Sequence, residues 1–309
     1  MNASRSPDHP IIRSPDHPIP HVWVDTDIAL GSDGGDVDDG FALAALAAAR
    51  RRGAIELLSV STVFGNTTAA RSQECARELL ARAGVEVPVL RGAERKEAAT
   101  PASEAIAAVS GNNIKIVSLG PLTNLAAACR RDAGLPDRAT LRAVGGNLSS
   151  LGFLPPLWPY EFNLSRDRES ARRVLSLPWR RLTLFPLDVV RQLTVGSEDL
   201  AALARVSGFG GYLAEQSQRW LRRARWRHLG RRFPLWDLPA ALDAIGVLSS
   251  EIEPRRLAPG ARWLLRDSRA FSCLTDFDPP SAWKSFLHLL EEPDAAAFSL
   301  PPEPVTSST

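Results

Sequence analysis

The sequence predicts an α/β protein: a single domain on a mostly parallel, twisted sheet with helices on both faces. Three observations carry this prediction. Apolar, strand-like runs alternate with helical stretches through most of the 309 residues, the pattern of a parallel sheet covered on both sides. A hydrophobic content of 44% supplies enough apolar surface for a substantial core. Each strand-like run also ends in a polar cluster, and ligands of open α/β sheets bind at the carboxyl ends of the strands.

Along the chain, residues 1–20 come first, with a tandem repeat, RSPDHPI at 5–11 and again at 13–19. Rich in Pro and polar groups, this segment has almost nothing to bury and is expected to be a disordered tail. Its His9 and His17 read as solvated tail residues rather than metal ligands. The domain is expected over 21–295, with a second disordered tail over 296–309 that includes PPEPVTSST. Within the domain the first strand is VWVDTD (22–27), followed by a helix over 38–51, DDGFALAALAAARR. Carboxylates at the start of that helix and arginines at its end complement the helix dipole. A strand at 55–63, a helix over 67–82 and a strand at 87–90 come next. IKIVSLG (114–120), a helix over 121–131, ATLRAVGG (139–146) and RLTLFPLD (181–188) continue the alternation.

Charge and cysteine content exclude several classes of function. With 37 basic and 35 acidic residues the formal net charge is +2, so no nucleic-acid or membrane-surface partner is expected. Cys75, Cys129 and Cys273 are widely spaced and form no CxxC pair, which fits reduced thiols. The chain shows neither a signal-peptide core nor an apolar run long enough to span a bilayer, so a cytoplasmic location is expected.

The most informative stretch is DTDIALGSDGGDVDDG (25–40), which packs six aspartates behind the first strand. Carboxylates held close raise one another's pKa and cost stability, so such a cluster persists only around something positive. With no His or Cys cluster nearby, the available ligands are hard oxygens, which favour Ca²⁺ or Mg²⁺ over zinc. Helix capping explains one or two of the aspartates but not six. A strand followed by DxD also begins phosphatases of the haloacid dehalogenase type. Those need a later lysine, and here Lys96, Lys115 and Lys284 stand without an acidic pair in a suitable later loop. An EF-hand is excluded by the absence of its 12-residue loop with a terminal Glu.

The other strand ends carry TVFGN (62–66), SLGPLTN (118–124), VGGN (144–147), YEFN (160–163), PLD (186–188) and PLWD (234–237). Taken with DTD and DVDDG, their order and spacing resemble the nucleoside hydrolase family of the inosine-uridine-preferring type, over nearly the whole core, in a divergent member. The resemblance implies that family's fold and Ca²⁺-dependent hydrolysis of the N-glycosidic bond of a ribonucleoside or related riboside, to ribose and free base. It further implies Asp27, Asp39, Asp237 and the backbone carbonyl of Leu119 as metal ligands, with Asp27 also the base that accepts the proton of the attacking water. Asp38, Asn66, Glu161 and Asn163 fall where the family grips ribose hydroxyls, and Asp25 supports the cluster from behind. The implied partner is a small-molecule nucleoside or riboside, and the implied assembly a homodimer or homotetramer. Independent physics agrees: loss of the base leaves oxocarbenium-like positive charge on the sugar, which surrounding carboxylates stabilise.

Several positions depart from the family pattern. Where relatives carry the histidine that protonates the leaving base, this chain has Trp236, which has no mobile proton but can stack on a heterocycle or pack in the core. The first loop is stretched by ALGSD, adding Asp33, and the segment after the 87–90 strand lacks the usual His- and Gly-rich flap. LGFLPPLWPY (151–160) replaces a polar loop, bringing Trp158 and Tyr160, and Asn147 is the one candidate for a contact to the 5′-hydroxyl. RWLRRARWRHLGRR (219–232), with seven arginines, reads as a solvated helical face; the competing reading is a phosphate contact, with His228 as a substitute acid. These changes predict a narrow or unusual leaving-group preference. The alternative is a ribose- or nucleoside-binding pseudoenzyme without turnover.

Overall fold

A computed structural model describes residues 18–32, 35–96, 99–111, 113–149, 161–224, 232–258, 266 and 268–291. Strand β1 (His21–Thr26) leads to helix α1 (Asp38–Arg51), followed by β2 (Glu56–Thr62), α2 (Ala69–Arg82), β3 (Val89–Arg91) and α3 (Pro101–Ala108). The middle of the chain forms β4 (Ile114–Ser118), α4 (Thr123–Arg131), α5 (Leu135–Arg138), β5 (Ala139–Val144), α6 (Asn163–Arg166), α7 (Arg168–Ser176) and β6 (Arg181–Phe185). Then come α8 (Leu187–Val190), β7 (Thr194–Gly196), α9 (Ser197–Val206), α10 (Gly208–Ala224), β8 (Arg232–Pro234) and α11 (Leu238–Ile245). The last elements are β9 (Ser250–Arg256), β10 (Ala270–Phe277) and α12 (Pro279–Leu290).

Eight strands form one sheet in the order β3-β2-β1-β4-β5-β6-β10-β9, parallel except for the antiparallel edge strand β9. β7 and β8 make a separate antiparallel pair. The mostly parallel sheet agrees with the sequence prediction, and α1 spans the predicted 38–51. Helix α2 starts later than predicted because Thr68 stays extended and its hydroxyl accepts the Arg71 amide at 3.2 Å, capping the helix. The predicted strands at 55–63, 114–120, 139–146 and 181–188 end at Thr62, Ser118, Val144 and Phe185, where the chain turns out of the ladder into the polar clusters.

Side-chain alternation on the strands divides the interior in two. Val22 and Val24 of β1 face the cluster built with α1, α2, α11 and α12, whereas Trp23 faces the one built with α3, α4 and α7. Helices therefore cover both faces. Alanines make up much of the buried surface of α1, and Ala240, Ala241 and Ala244 are buried on α11. Small side chains let these two helices pack against each other, which brings residue 237 to residues 38 and 39. Cys75, Cys129 and Cys273 are buried free thiols, as expected. No helix among the described residues is long and apolar enough to cross a membrane. His9, His17, Asp33, Trp158, Tyr160, Trp226, His228 and the tail 296–309 lie outside the described residues. Of the arginine-rich segment, Arg219 pairs with Glu215 one turn away while Trp220 is buried, as a helix with one solvated face requires.

Candidate functional site

Strand order reverses direction at β1, which has β2 on one side and β4 on the other. That is the topological switch point, where the strand ends open a crevice. Asp25 and Asp27 sit at the carboxyl end of β1, Asp38 and Asp39 open α1, and Asp237 stands at the N-cap of α11. All five are buried. Carboxylate oxygens of Asp38, Asp39 and Asp237 lie within 4.8 Å of one another. Capping does not explain them: the N-cap of α1 is Val37, and neither Val37 nor Asp237 makes a side-chain cap hydrogen bond.

Short local contacts fix the individual carboxylates. Asp27 Oδ2 accepts the Asn66 amide at 2.7 Å, and the Asn66 side chain donates to Asp39 Oδ2 at 3.3 Å, so one residue ties two carboxylates together. Thr26 donates its hydroxyl to Asp39 Oδ1. Gly65 and Gly120 clasp Asp27, since a Cβ on them would stand 1.9 Å and 2.8 Å from its oxygens. Behind the cluster, Asp25 Oδ1 accepts from Ser61 at 2.6 Å and from Asn124 at 2.8 Å. Ser61 in turn accepts the Trp23 indole N–H, and Asn124 accepts the Ala93 amide.

The second half of the site gathers at the ends of β4 and β5. Asn163 Nδ2 donates to the carbonyls of Leu119 at 2.7 Å and Val144 at 3.0 Å, joining the two strand ends. Glu161 Oε2 accepts the amides of Leu164 and Ser165, whereas its Oε1 is buried without a partner and lies 3.0 Å from the place of a Gly145 Cβ. Asn147 Oδ1 is likewise buried and unsatisfied. Asp188 of the PLD motif accepts the amides of Leu148 and Ser149, which pins the turn carrying Asn147. Trp236 is partly buried and packs against the larger core cluster.

Electrostatically the site is incomplete by itself. Among the described residues no Arg or Lys forms an ion pair with Asp25, Asp27, Asp38, Asp39 or Asp237. Burial pushes Asp25 up to about 6 and Asp39, with help from the Asp36 charge, up to about 7. Asp27, Asp38 and Asp237 rise well above the usual carboxylate range, first through burial and then through neighbouring aspartate charge, chiefly Asp39 on Asp27, Asp36 on Asp38 and Asp38 on Asp237. Burial raises Glu161 to about 8. Oxygens Asp25 Oδ2, Asp27 Oδ1 and Asp38 Oδ1 have no hydrogen-bond partner. Orphaned, buried, all-oxygen donors with no cation of their own are what a hard divalent ion requires. The donor set therefore fits such an ion.

Of the residues singled out in the sequence, Asp27, Asp38, Asp39, Asn66 and Asp237 converge at the switch point, and Leu119, Glu161 and Asn163 line the adjoining strand ends. Sequence reasoning missed Ser61, gave no role to Asp188 although the PLD motif that contains it was singled out, and missed the steric role of Gly65 and Gly120. The glycines stood inside quoted motifs, whereas Ser61 gave no signal. An open groove of about 1230 Å³, lined by Arg50, Arg51, Arg77 and Val85 among others, lies at the amino end of β2, away from these groups.

Comparison with known proteins gives a consistent picture. A family profile described as inosine-uridine preferring nucleoside hydrolase matches residues 22–259. An uncharacterised protein of Schizosaccharomyces pombe is 29% identical over 212 residues, which cover 57% of this chain and 66% of the relative. The pyrimidine-specific ribonucleoside hydrolase RihB of Shigella flexneri is 31% identical over 149 residues, 46% of each chain. The chain thus spans about two thirds and about half the length of these curated relatives. Among solved structures, a plant nucleoside hydrolase, PpNRh1, superposes with a TM-score of 0.70 at 19% identity, covering 89% of this chain and 100% of that one. The inosine-uridine preferring nucleoside hydrolase of Bacillus anthracis gives 0.66 at 18% identity, covering 88% and 99%. At those identities the superpositions establish a shared fold.

Proposed function

Because this chain belongs to the inosine-uridine preferring nucleoside hydrolase family, we propose that it hydrolyses the N-glycosidic bond of a ribonucleoside or related riboside. Water adds at the anomeric carbon, the bond to the base breaks with its electron pair leaving on the base, and ribose and free base result. The observation that carries the reading is the set of buried carboxylates at the switch point, with no Arg or Lys among the described residues paired to them.

Asp27, Asp39, Asp237 and the Leu119 carbonyl would hold a divalent cation; the all-oxygen donors suit Ca²⁺ or Mg²⁺, and the family resemblance makes Ca²⁺ our choice. When bound, the ion supplies positive charge that neutralises these carboxylates, grips vicinal hydroxyls and acidifies water. The protein's residues do the rest. Asp27 takes the proton of the attacking water, its Oδ2 held in place by the Asn66 amide. Asp38, Asn66, Glu161 and Asn163 hold ribose hydroxyls, and Asn163 is oriented for this by its two bonds to the carbonyls of Leu119 and Val144. Buried carboxylates around the ring favour the positively charged sugar of the transition state over the neutral ground state, and that difference lowers the barrier. Trp236 offers an indole face to a flat leaving group and no acid, which suits a base that departs without prior protonation.

A panel of purine, pyrimidine and modified nucleosides, assayed for released reducing sugar with and without EDTA, tests the proposal. Metal-dependent release from at least one member is expected, and none from any member would overturn it. The loss of an acid at Trp236 favours one competing reading, a nucleoside-binding protein without turnover. Calorimetric titration separates the two, because tight binding without product belongs to the second. A small-molecule substrate, a cytoplasmic location and a homodimeric or homotetrameric assembly complete the proposal.

A further inference from the structure

Helix α11 carries Asp237 at its N-cap and is only eight residues long. Its first turn faces Asp38 and Asp39, with oxygens of the three carboxylates within 4.8 Å of one another. Where these carboxylates are ionised, like charges at that spacing repel one another and work against the seating of this end of α11. Something must hold the other end.

Two cations on the sheet do so. Lys115 of β4 donates its ammonium to the Ala244 carbonyl at 2.7 Å, in the last turn of α11, where the dipole also favours positive charge. Arg142 of β5 donates Nε to Asp243 Oδ2 at 2.6 Å, and its Nη1 is steadied by the Thr140 hydroxyl. The Arg142 and Asp243 side chains are only 10% and 16% exposed. Strands β4 and β5 are adjacent and in register, Lys115 opposite Thr140 and Val117 opposite Arg142, so the two cations share one sheet face beneath the helix. Gly246, at φ 95°, closes α11 immediately after this clamp.

We propose that Lys115 and the Arg142–Asp243 pair are positioning residues: they fix the axial position of α11 against repulsion among the carboxylates, so that Asp237 is already placed to ligate a divalent cation. The tolerance is narrow. A slip of one residue along a helix moves a side chain by about 1.5 Å, whereas Ca²⁺–oxygen distances span only about 2.3–2.6 Å. This inference rests on the metal reading above for its consequence, though not for the clamp itself.

Two measurements on the full chain test it, with Arg142→Met as the variant that keeps the stem and removes the charge. In metal-free protein, hydrogen exchange at the amides of Ala241 and Leu242 should quicken. In calorimetric titration with CaCl₂ alone, affinity should fall about ten- to a hundredfold, as for other residues that orient metal ligands. Arg142→Lys, which retains the charge, should recover most of both. Leu141→Ala, on the same strand but facing the opposite core cluster, lowers overall stability; compared at matched global stability, it should leave both readouts unchanged. Wild-type exchange in Arg142→Met, or equal loss in Leu141→Ala, overturns the proposal. Should Arg142→Met not fold, Lys115→Met carries the same expectations. If the wild type itself binds no Ca²⁺, the metal reading fails, and the exchange arm alone still decides whether the clamp exists.

Discussion

Without its ion, the protein should lose stability as the pH rises, and Ca²⁺ should restore more of it the higher the pH. Asp25 and Asp39 have folded-state values of about 6 and about 7, both above the ordinary 3.8. A carboxylate raised in the folded state keeps its proton there while the unfolded chain has lost it. Its contribution is therefore complete below about pH 4 and disappears as the pH passes through the folded value. Within that window each such group costs about 1.4 kcal/mol per pH unit. Between pH 5 and pH 7, Asp39 accounts for two such steps and Asp25 for one, together about 4 kcal/mol. At about 2–4 °C per kcal/mol for a domain of this size, Tm in EDTA should drop by about 8–16 °C over that interval. Ca²⁺ at about a hundred times its Kd contributes about 2.7 kcal/mol. Because it displaces protons from the same oxygens, its effect should be larger at pH 8 than at pH 5. Thermal unfolding across pH 5–8, in EDTA and in excess CaCl₂, reads all of this. A flat Tm in EDTA, or a Ca²⁺ shift absent at pH 8, would refute the electrostatic account of the site.

Asp237→Ala should abolish metal-dependent nucleoside hydrolysis and the Ca²⁺-induced Tm shift, yet raise Tm in EDTA at pH 8, since one repelling charge is gone. Asp27→Ala should also abolish hydrolysis, by at least about a hundredfold, the scale for a general base; full activity in either variant would contradict their assignment. Gly65→Ala would bring a methyl within 1.9 Å of Asp27 Oδ2, so a loss of metal affinity exceeding the loss of stability is expected in parallel titration and melting. Trp236→His restores a titratable group beside the site and should raise kcat on ordinary purine nucleosides by about tenfold or more, with a new alkaline limb in the pH–rate profile, since a general acid works only while protonated.

How far the sequence discloses such a site depends on how each residue acts. Asp27, Asp38 and Asp39 belong to a run of carboxylates crowded enough to be noticed from composition and spacing, whereas Asp237 stands alone in its stretch and comes to notice only through the resemblance carried by PLWD and the other motifs. Asp188 acts through the amides of Leu148 and Ser149, a partnership forty residues away that no local pattern encodes. Gly65 matters for what it lacks. On the fold side, the parallel strands were legible because strands buried on both faces are apolar runs. The β9–β10 hairpin was not: SEIEPRR is charged, carries a proline and lies exposed at the sheet edge, the composition that protects an edge and also hides it. Register explains the early strand ends, because the predicted runs included the polar residues that leave the ladder.

The arrangement behind Asp25 bears on why the cluster can be folded at all. Asp25 is fully buried, and its Oδ1 is held by Ser61 and Asn124, each of which is itself held, by Trp23 and by Ala93. Those bonds lower its pKa against the burial that raises it, so it titrates nearest the ordinary range of the aspartates in the cluster. Asp39 has a donor on each oxygen, from Thr26 and Asn66, whereas Asp25, Asp27 and Asp38 each keep one buried oxygen with no partner among the described residues. Support is therefore uneven: every one of these three carboxylates retains a bare oxygen inside the protein. A site designed only for stability would have donors at every position. Leaving such oxygens bare, while the proposed clamp holds α11 from its far end, keeps the attraction for an incoming cation undivided.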